Sequence, residues 1–97
     1  MSSASGLACF RATVRGWVQG VYFRDFVRHH ATALGLKGYV RNLSGSRAVE
    51  VRAEGERPQL ERLLEHLHRG PRAARVEEVD VEWDEYTGDF SDFTVRY

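Results

Sequence analysis

The sequence predicts an α+β fold in which two helices pack on one face of an antiparallel sheet. Three observations carry that prediction. Two stretches repeat their apolar residues at helical spacing, the others alternate with a period of two, and they follow one another as strand, helix, strand, strand, helix, strand. A chain of 97 residues accommodates one domain.

Residues 1–7 are small and polar at first and read as a flexible N-terminus, leaving 8–97 as the domain. From 9 to 16, Phe10, Ala12 and Val14 alternate with Arg11, Thr13 and Arg15, the mark of a half-buried strand. A loop bracketed by Gly16 and Gly20 follows. Phe23, Phe26, Val27, His30, Ala31 and Leu34 then share one helical stripe, and Gly35 supplies the helix stop. Residues 37–42 and 48–54 read as two strands of a hairpin, joined through Ser44-Gly45-Ser46. Pro58 suits the first turn of a second helix, whose stripe is Leu60, Leu63, Leu64 and Leu67 and whose end is Gly70-Pro71. Val79, Val81 and Trp83 alternate along a strand at 76–83, and residues 93–97 form a short closing strand. This order is the ferredoxin-like split βαβ arrangement with one added strand.

Composition narrows the function classes. Apolar content of 42% and charged content of 29% are those of a soluble globular protein. The formal net charge is zero, so no broad field draws a nucleic acid or an anionic membrane, and an anion has to be gripped locally. No run approaches the roughly 20 apolar residues of a membrane helix, and no signal peptide is visible at the N-terminus. The one cysteine, Cys9, forms no intrachain disulfide, which suits a reducing cytoplasmic setting.

The chemistry concentrates between Gly16 and Arg24. Glycines allow a tight turn and close backbone approach, and successive N–H groups in such a turn make an anion-binding concavity. The helix that begins just afterwards adds unpaired N–H groups and the positive end of its dipole. Arg24, at that helix start, can meet a phosphate with its planar fork. Alone, a Gly-x-x-x-Gly loop before a helix is a weak signal, and a plain tight turn is the safer reading.

The longer string decides between these readings. Val14-Arg15-Gly16-Trp17-Val18-Gln19-Gly20-Val21-Tyr22-Phe23-Arg24, followed by Ala33-Leu34-Gly35-Leu36-Lys37-Gly38-Tyr39-Val40-Arg41-Asn42, closely resembles the acylphosphatase family. The family patterns G-x-V-Q-G-V-x-F-R and L-G-L-x-G-[WY]-V-x-N are both complete, and the likeness continues to the C-terminus. The resemblance implies hydrolysis of an acyl phosphate to a carboxylate and inorganic phosphate. It implies that Arg24 binds the substrate phosphate and that the backbone N–H groups of Val18, Gln19, Gly20, Val21, Tyr22 and Phe23 cradle its oxygens. It also implies that Asn42 orients the attacking water. No metal or organic cofactor is implied, and the expected partner is a small acyl phosphate met by a monomer, without nucleic acid or membrane.

Two features depart from the common pattern. Trp17 stands where the family often has a small, basic or polar residue, and its ring is expected to narrow the site entrance or to face the acyl group. The turn after Asn42 is about one residue longer than usual, which leaves the position of Ser44 open.

Other residues have plainer readings. His29 and His30 are adjacent and cannot share a helix face. His30 falls on the apolar stripe and is expected to be packed, whereas His66 and His68 are expected to face solvent. No Cys, His and carboxylate cluster has metal-ligand spacing. Asp25 reads as a helix-start carboxylate rather than a base, and Ser44 and Ser46 lack a nucleophile's partners. Cys9 reads as structural. The acidic residues between Glu77 and Glu85 read as a solvated strand face. Two alternatives share the topology: a phosphate-binding module without turnover, and an RNA-recognition module. Lys37-Gly38-Tyr39 echoes the start of an RNA-binding motif, but the strand 48–54 offers no aromatic for base stacking.

Overall fold

A computed structural model describes residues 6–97, so the expectation of flexibility for residues 1–5 lies outside the described residues. β1 (Leu7–Trp17) begins two residues before the alternation marks it. Leu7 pairs with Glu56, and the Gly6 carbonyl accepts the Arg57 N–H at 3.0 Å, so both belong to the folded domain rather than the terminus.

α1 (Phe23–Ala33) follows, then β2 (Lys37–Leu43), β3 (Ala48–Glu56), α2 (Arg57–Arg69), β4 (Arg75–Asp84) and β5 (Phe93–Arg96). α1 stops where the sequence says it should. Gly35, at φ 75°, donates to the Thr32 carbonyl, and the Leu36 N–H donates to the Ala31 carbonyl at 2.9 Å. This two-bond closure satisfies the last carbonyls and returns Leu36 to the core.

The sheet runs in the order β4-β1-β3-β2-β5. The four longer strands pair antiparallel. β5 pairs parallel to β2, so the sheet is mixed at that edge rather than antiparallel throughout. The chain reaches this edge from β4 at the opposite side, which puts β5 in the direction of β2.

One face of the sheet is the core. Phe10, Ala12 and Val14 of β1, Val49, Val51 and Ala53 of β3, and Val40 of β2 meet Phe23, Val27 and Ala31 of α1 and Leu60, Leu63 and Leu67 of α2. Each buried leucine or phenylalanine contributes about 1.5–3 kcal/mol over an exposed one, so these stripes fix both helices to the sheet.

The other face carries charge. Arg15 lies 3.7 Å from Asp80 and 3.9 Å from Glu78, and Arg11 lies 3.7 Å from Glu82. These pairs are solvent-exposed and worth little each, and they occupy Glu78, Asp80 and Glu82 of the acidic strand face read from the sequence. Towards β2, the nearly buried Glu50 accepts from Arg41 Nε at 2.6 Å and from the Tyr39 hydroxyl at 3.1 Å. Burial and the Glu50 carboxylate together push the Tyr39 phenol up from its ordinary value.

Candidate active site

The site is built where β1 hands over to α1. Between Arg15 and Gly16 the β1–β4 register shifts, and Gly16 passes so near β4 that a Cβ there would lie 2.2 Å from the Arg75 carbonyl oxygen. Gly16 is therefore required by a neighbouring strand, not by a ligand. Its N–H donates to the Arg47 carbonyl at 3.1 Å.

The loop that follows is pinned at two points. Val18 and Phe23 are each 1% exposed and anchor it in the core. Between them Gly20 has φ 76°, and Tyr22 has φ 61° and ψ 24°, the one non-glycine residue with positive φ among the described residues. A bulky residue in the left-handed region is strained. The Tyr22 carbonyl accepts the Phe26 N–H at 3.0 Å, the first bond of α1, while its side chain caps nothing. Helix geometry then leaves the N–H groups of Phe23, Arg24 and Asp25 without an intrahelical partner. Among the described residues, the N–H groups of 18–22 likewise donate to no other residue.

Val18, Gly20, Tyr22, Phe23, Arg24, Asp25, Asn42, Val95 and Tyr97 line one cleft of about 340 Å³. Arg24 and Asn42, read from two separate motifs, thus come together. The Arg24 guanidinium lies 4.6 Å from the centre of the Tyr97 ring, and its Nη1 donates to the Arg96 carbonyl at 3.3 Å. Asn42 sits next to the end of β2, and its Oδ1 is buried without a hydrogen-bond partner among the described residues. An unmade bond of that kind costs about 1–3 kcal/mol.

Not every residue of the proposed cradle lines the cleft. Val21 does not, and the Gln19 side chain turns to the β2–β3 hairpin, where Nε2 donates to the carbonyls of Leu43, Ser46 and Ala48. Trp17 also lies elsewhere. Its ring sits under the Arg47 guanidinium at 5.1 Å, in a side groove that shares Val18 with the cleft, and it does not line the cleft itself. Ser44 is exposed in the turn and takes no part in the cleft. Asp25 lines the cleft with an exposed carboxylate 3.6 Å from Arg28.

Val95 and Tyr97 are the cleft residues that the sequence reading missed. Their signal was the closing strand itself, but nothing local in it says that it lies beside β2. The histidines differ too. His66 does not face solvent: it stacks on His30 with ring centres 3.8 Å apart and planes 18° apart, and the Phe26 ring meets both edge-on. Burial first, then the neighbouring His66, His29 and Arg69, hold the His30 pKa below its ordinary value.

Comparison with known proteins agrees with this geometry. The family model for acylphosphatases matches residues 10–95. An acylphosphatase of Caldivirga maquilingensis is 51% identical over 90% of this chain and 92% of its own. One from Dehalococcoides mccartyi is 48% identical over 92% of this chain and 98% of its own. The solved structure of a Coxiella burnetii acylphosphatase superposes with a TM-score of 0.89 at 43% identity, covering 99% of this chain and all of that one.

Proposed function

The chain belongs to the acylphosphatase family of hydrolases, and from that premise we propose the division of labour within its cleft. Arg24 binds the phosphate of a small acyl phosphate, with the N–H groups of the 18–23 loop and the start of α1 meeting its oxygens. Asn42 orients the water that attacks phosphorus. The P–O bond to the acyl group breaks, the carboxylate leaves, and inorganic phosphate remains. A neutral amide is a poor base, so the substrate phosphate itself accepts the proton of the water.

The observation that carries this reading is that Arg24, Asn42 and the turn into α1 line one cleft. An acyl phosphate already has a good leaving group, so positioning and charge stabilisation are sufficient catalysis. Phosphoryl transfer demands little covalent chemistry of a protein. The working unit is proposed to be a monomer in a cytoplasmic setting, which the lone Cys9 suits.

The test is hydrolysis of benzoyl phosphate by the purified protein in EDTA, beside Arg24→Ala and Asn42→Ala. Turnover by the wild type that is lost in both folded variants supports the assignment. A folded wild type that binds phosphate without turnover overturns it in favour of a binding module.

A further inference from the structure

One side chain joins the two halves of the cleft without lining it. The Gln19 amide nitrogen lies 2.7 Å from the Ala48 carbonyl oxygen, 2.9 Å from that of Ser46 and 3.2 Å from that of Leu43. Leu43 directly follows Asn42, and Ala48 is its partner across the mouth of the hairpin. On the other side, Gln19 stands between Val18 and Gly20, which both line the cleft. A single NH2 group, with two protons to give, therefore grips both strands and the turn that joins them. The Gly16 N–H, bonded to the Arg47 carbonyl, fastens the same loop to the same turn at a second point.

We propose that Gln19 is a positioning residue, whose side chain fixes the distance between the phosphate-binding loop and the water-orienting Asn42. The inference rests on the role assigned above to Asn42. Three carbonyl oxygens converging on one point need a donor between them, and the Gln19 amide supplies it with both of its protons. The turn 44–47 is exposed at Ser44, Gly45, Ser46 and Arg47, so beyond the Gly16–Arg47 bond and the Arg47–Trp17 contact the clasp is its main tie to the loop. Displacing a reacting group by about 1 Å can cost 10²-fold in rate.

The experiment compares wild type with Gln19→Leu and Gln19→Glu on benzoyl phosphate, with inorganic phosphate as competing ligand. Gln19→Leu is expected to lower kcat roughly 10- to 100-fold. KM and the inhibition constant of phosphate should stay within about twofold, since Arg24 and the loop N–H groups remain. Gln19→Glu should lose more near neutral pH, where a carboxylate faces three carbonyls, and recover in part as acid protonates it. In an Asn42→Ala background, Gln19→Leu should cost little more, because both act on the same water. Unchanged kcat in a folded Gln19→Leu variant, phosphate affinity falling in step with kcat, or losses that multiply with those of Asn42→Ala would each overturn the proposal.

A readout that needs no turnover separates this inference from the assignment of Asn42. Amide exchange of residues 44–47 and the side-chain NH2 resonance of Asn42 should both change in Gln19→Leu. If neither moves, the clasp is wrong, whatever the enzyme assay gives. If both move while Asn42→Ala stays fully active, the clasp stands as geometry but positions nothing catalytic, and the proposal fails with that assignment.

Discussion

Asn42 and Glu54 are polar side chains on adjacent strands, near opposite ends of the sheet, and their surroundings are reversed. Glu54 is 2% exposed, and its carboxylate accepts from Thr87 Oγ1 at 2.6 Å, the Thr87 N–H at 2.9 Å and the Gly88 N–H at 3.0 Å. Burial alone would raise its pKa, but these donors outweigh it and hold the carboxyl below the usual range. Asn42 has a buried carbonyl oxygen and no donor among the described residues. A saturated buried group secures the connection between β4 and β5. The unsaturated one, on a residue that lines the cleft, costs the fold stability.

The sharpest separation should come from alanine at each position. Asn42→Ala is expected to lower kcat about 10²- to 10³-fold, the range for removing one oriented polar group at a reacting centre. Its melting temperature should hold or rise, because an unsatisfied group has been removed. A large fall in melting temperature for Asn42→Ala would break the comparison, by showing that the amide has a structural partner. Turnover and thermal melts check both halves.

Glu54→Ala should do the reverse. Losing hydrogen bonds to a charged acceptor costs roughly 1.5–3 kcal/mol each, and the freed donors at Thr87 and Gly88 can partly rehydrate. A destabilisation of about 2–3 kcal/mol lowers the melting temperature by about 10–20 °C in a domain of this size, with turnover preserved at 25 °C. The carboxylate contribution also has a pH signature. Because the folded pKa is depressed, the stabilisation is complete above the ordinary glutamate value of about 4.3 and is lost as pH falls through the lower folded value. Glu54→Gln should flatten that acid limb in urea titrations.

Asn42's side of this contrast and most of the fold are legible in the sequence, whereas the Glu54 site is not. The period-two and helical stripes located all seven elements, because each stripe had to face the same core. Arg24 and Asn42 were legible because they sit in dense local motifs. What the sequence did not disclose depends on long-range placement. Tyr97 reaches Arg24 only because β5 runs parallel beside β2, and the Gln19 clasp spans more than twenty residues. The side to which Trp17 turns is not legible, because a residue at the end of a strand can turn either way, and here its ring meets Arg47. His66 was misread because a residue beside an apolar stripe can still meet the neighbouring helix.

Tyr22 offers a smaller test of the same contrast. Its left-handed backbone costs about 1–2 kcal/mol in an L-residue, and glycine removes that cost while losing chain entropy of roughly 0.5–1 kcal/mol. Tyr22→Gly is therefore expected to change stability by about 0–1.5 kcal/mol, in the stabilising direction. If the strain serves the loop geometry, phosphate affinity should fall modestly even as the melting temperature rises. A stability loss would mean that the exposed phenol ring has a packing role of its own.

The smallest effect lies in the His30–His66 stack, which is neither saturated nor held open. His30 titrates below its ordinary value of about 6.5, because burial, His66, His29 and Arg69 all disfavour its cation. The unfolded chain therefore takes up the proton first as pH falls. The contribution to stability is complete above about pH 6.5 and is lost as pH falls from there to the depressed folded value. Urea unfolding at pH 7.5 and 5.5 should show a modest drop for the wild type, in a range where ordinary carboxylates stay largely ionised. His30→Gln keeps a polar group of similar reach and should shrink that drop, with turnover at pH 7.5 unchanged. An identical drop in the variant would mean that the stacked pair accepts a proton without strain, and that the two helices meet there by shape rather than by charge.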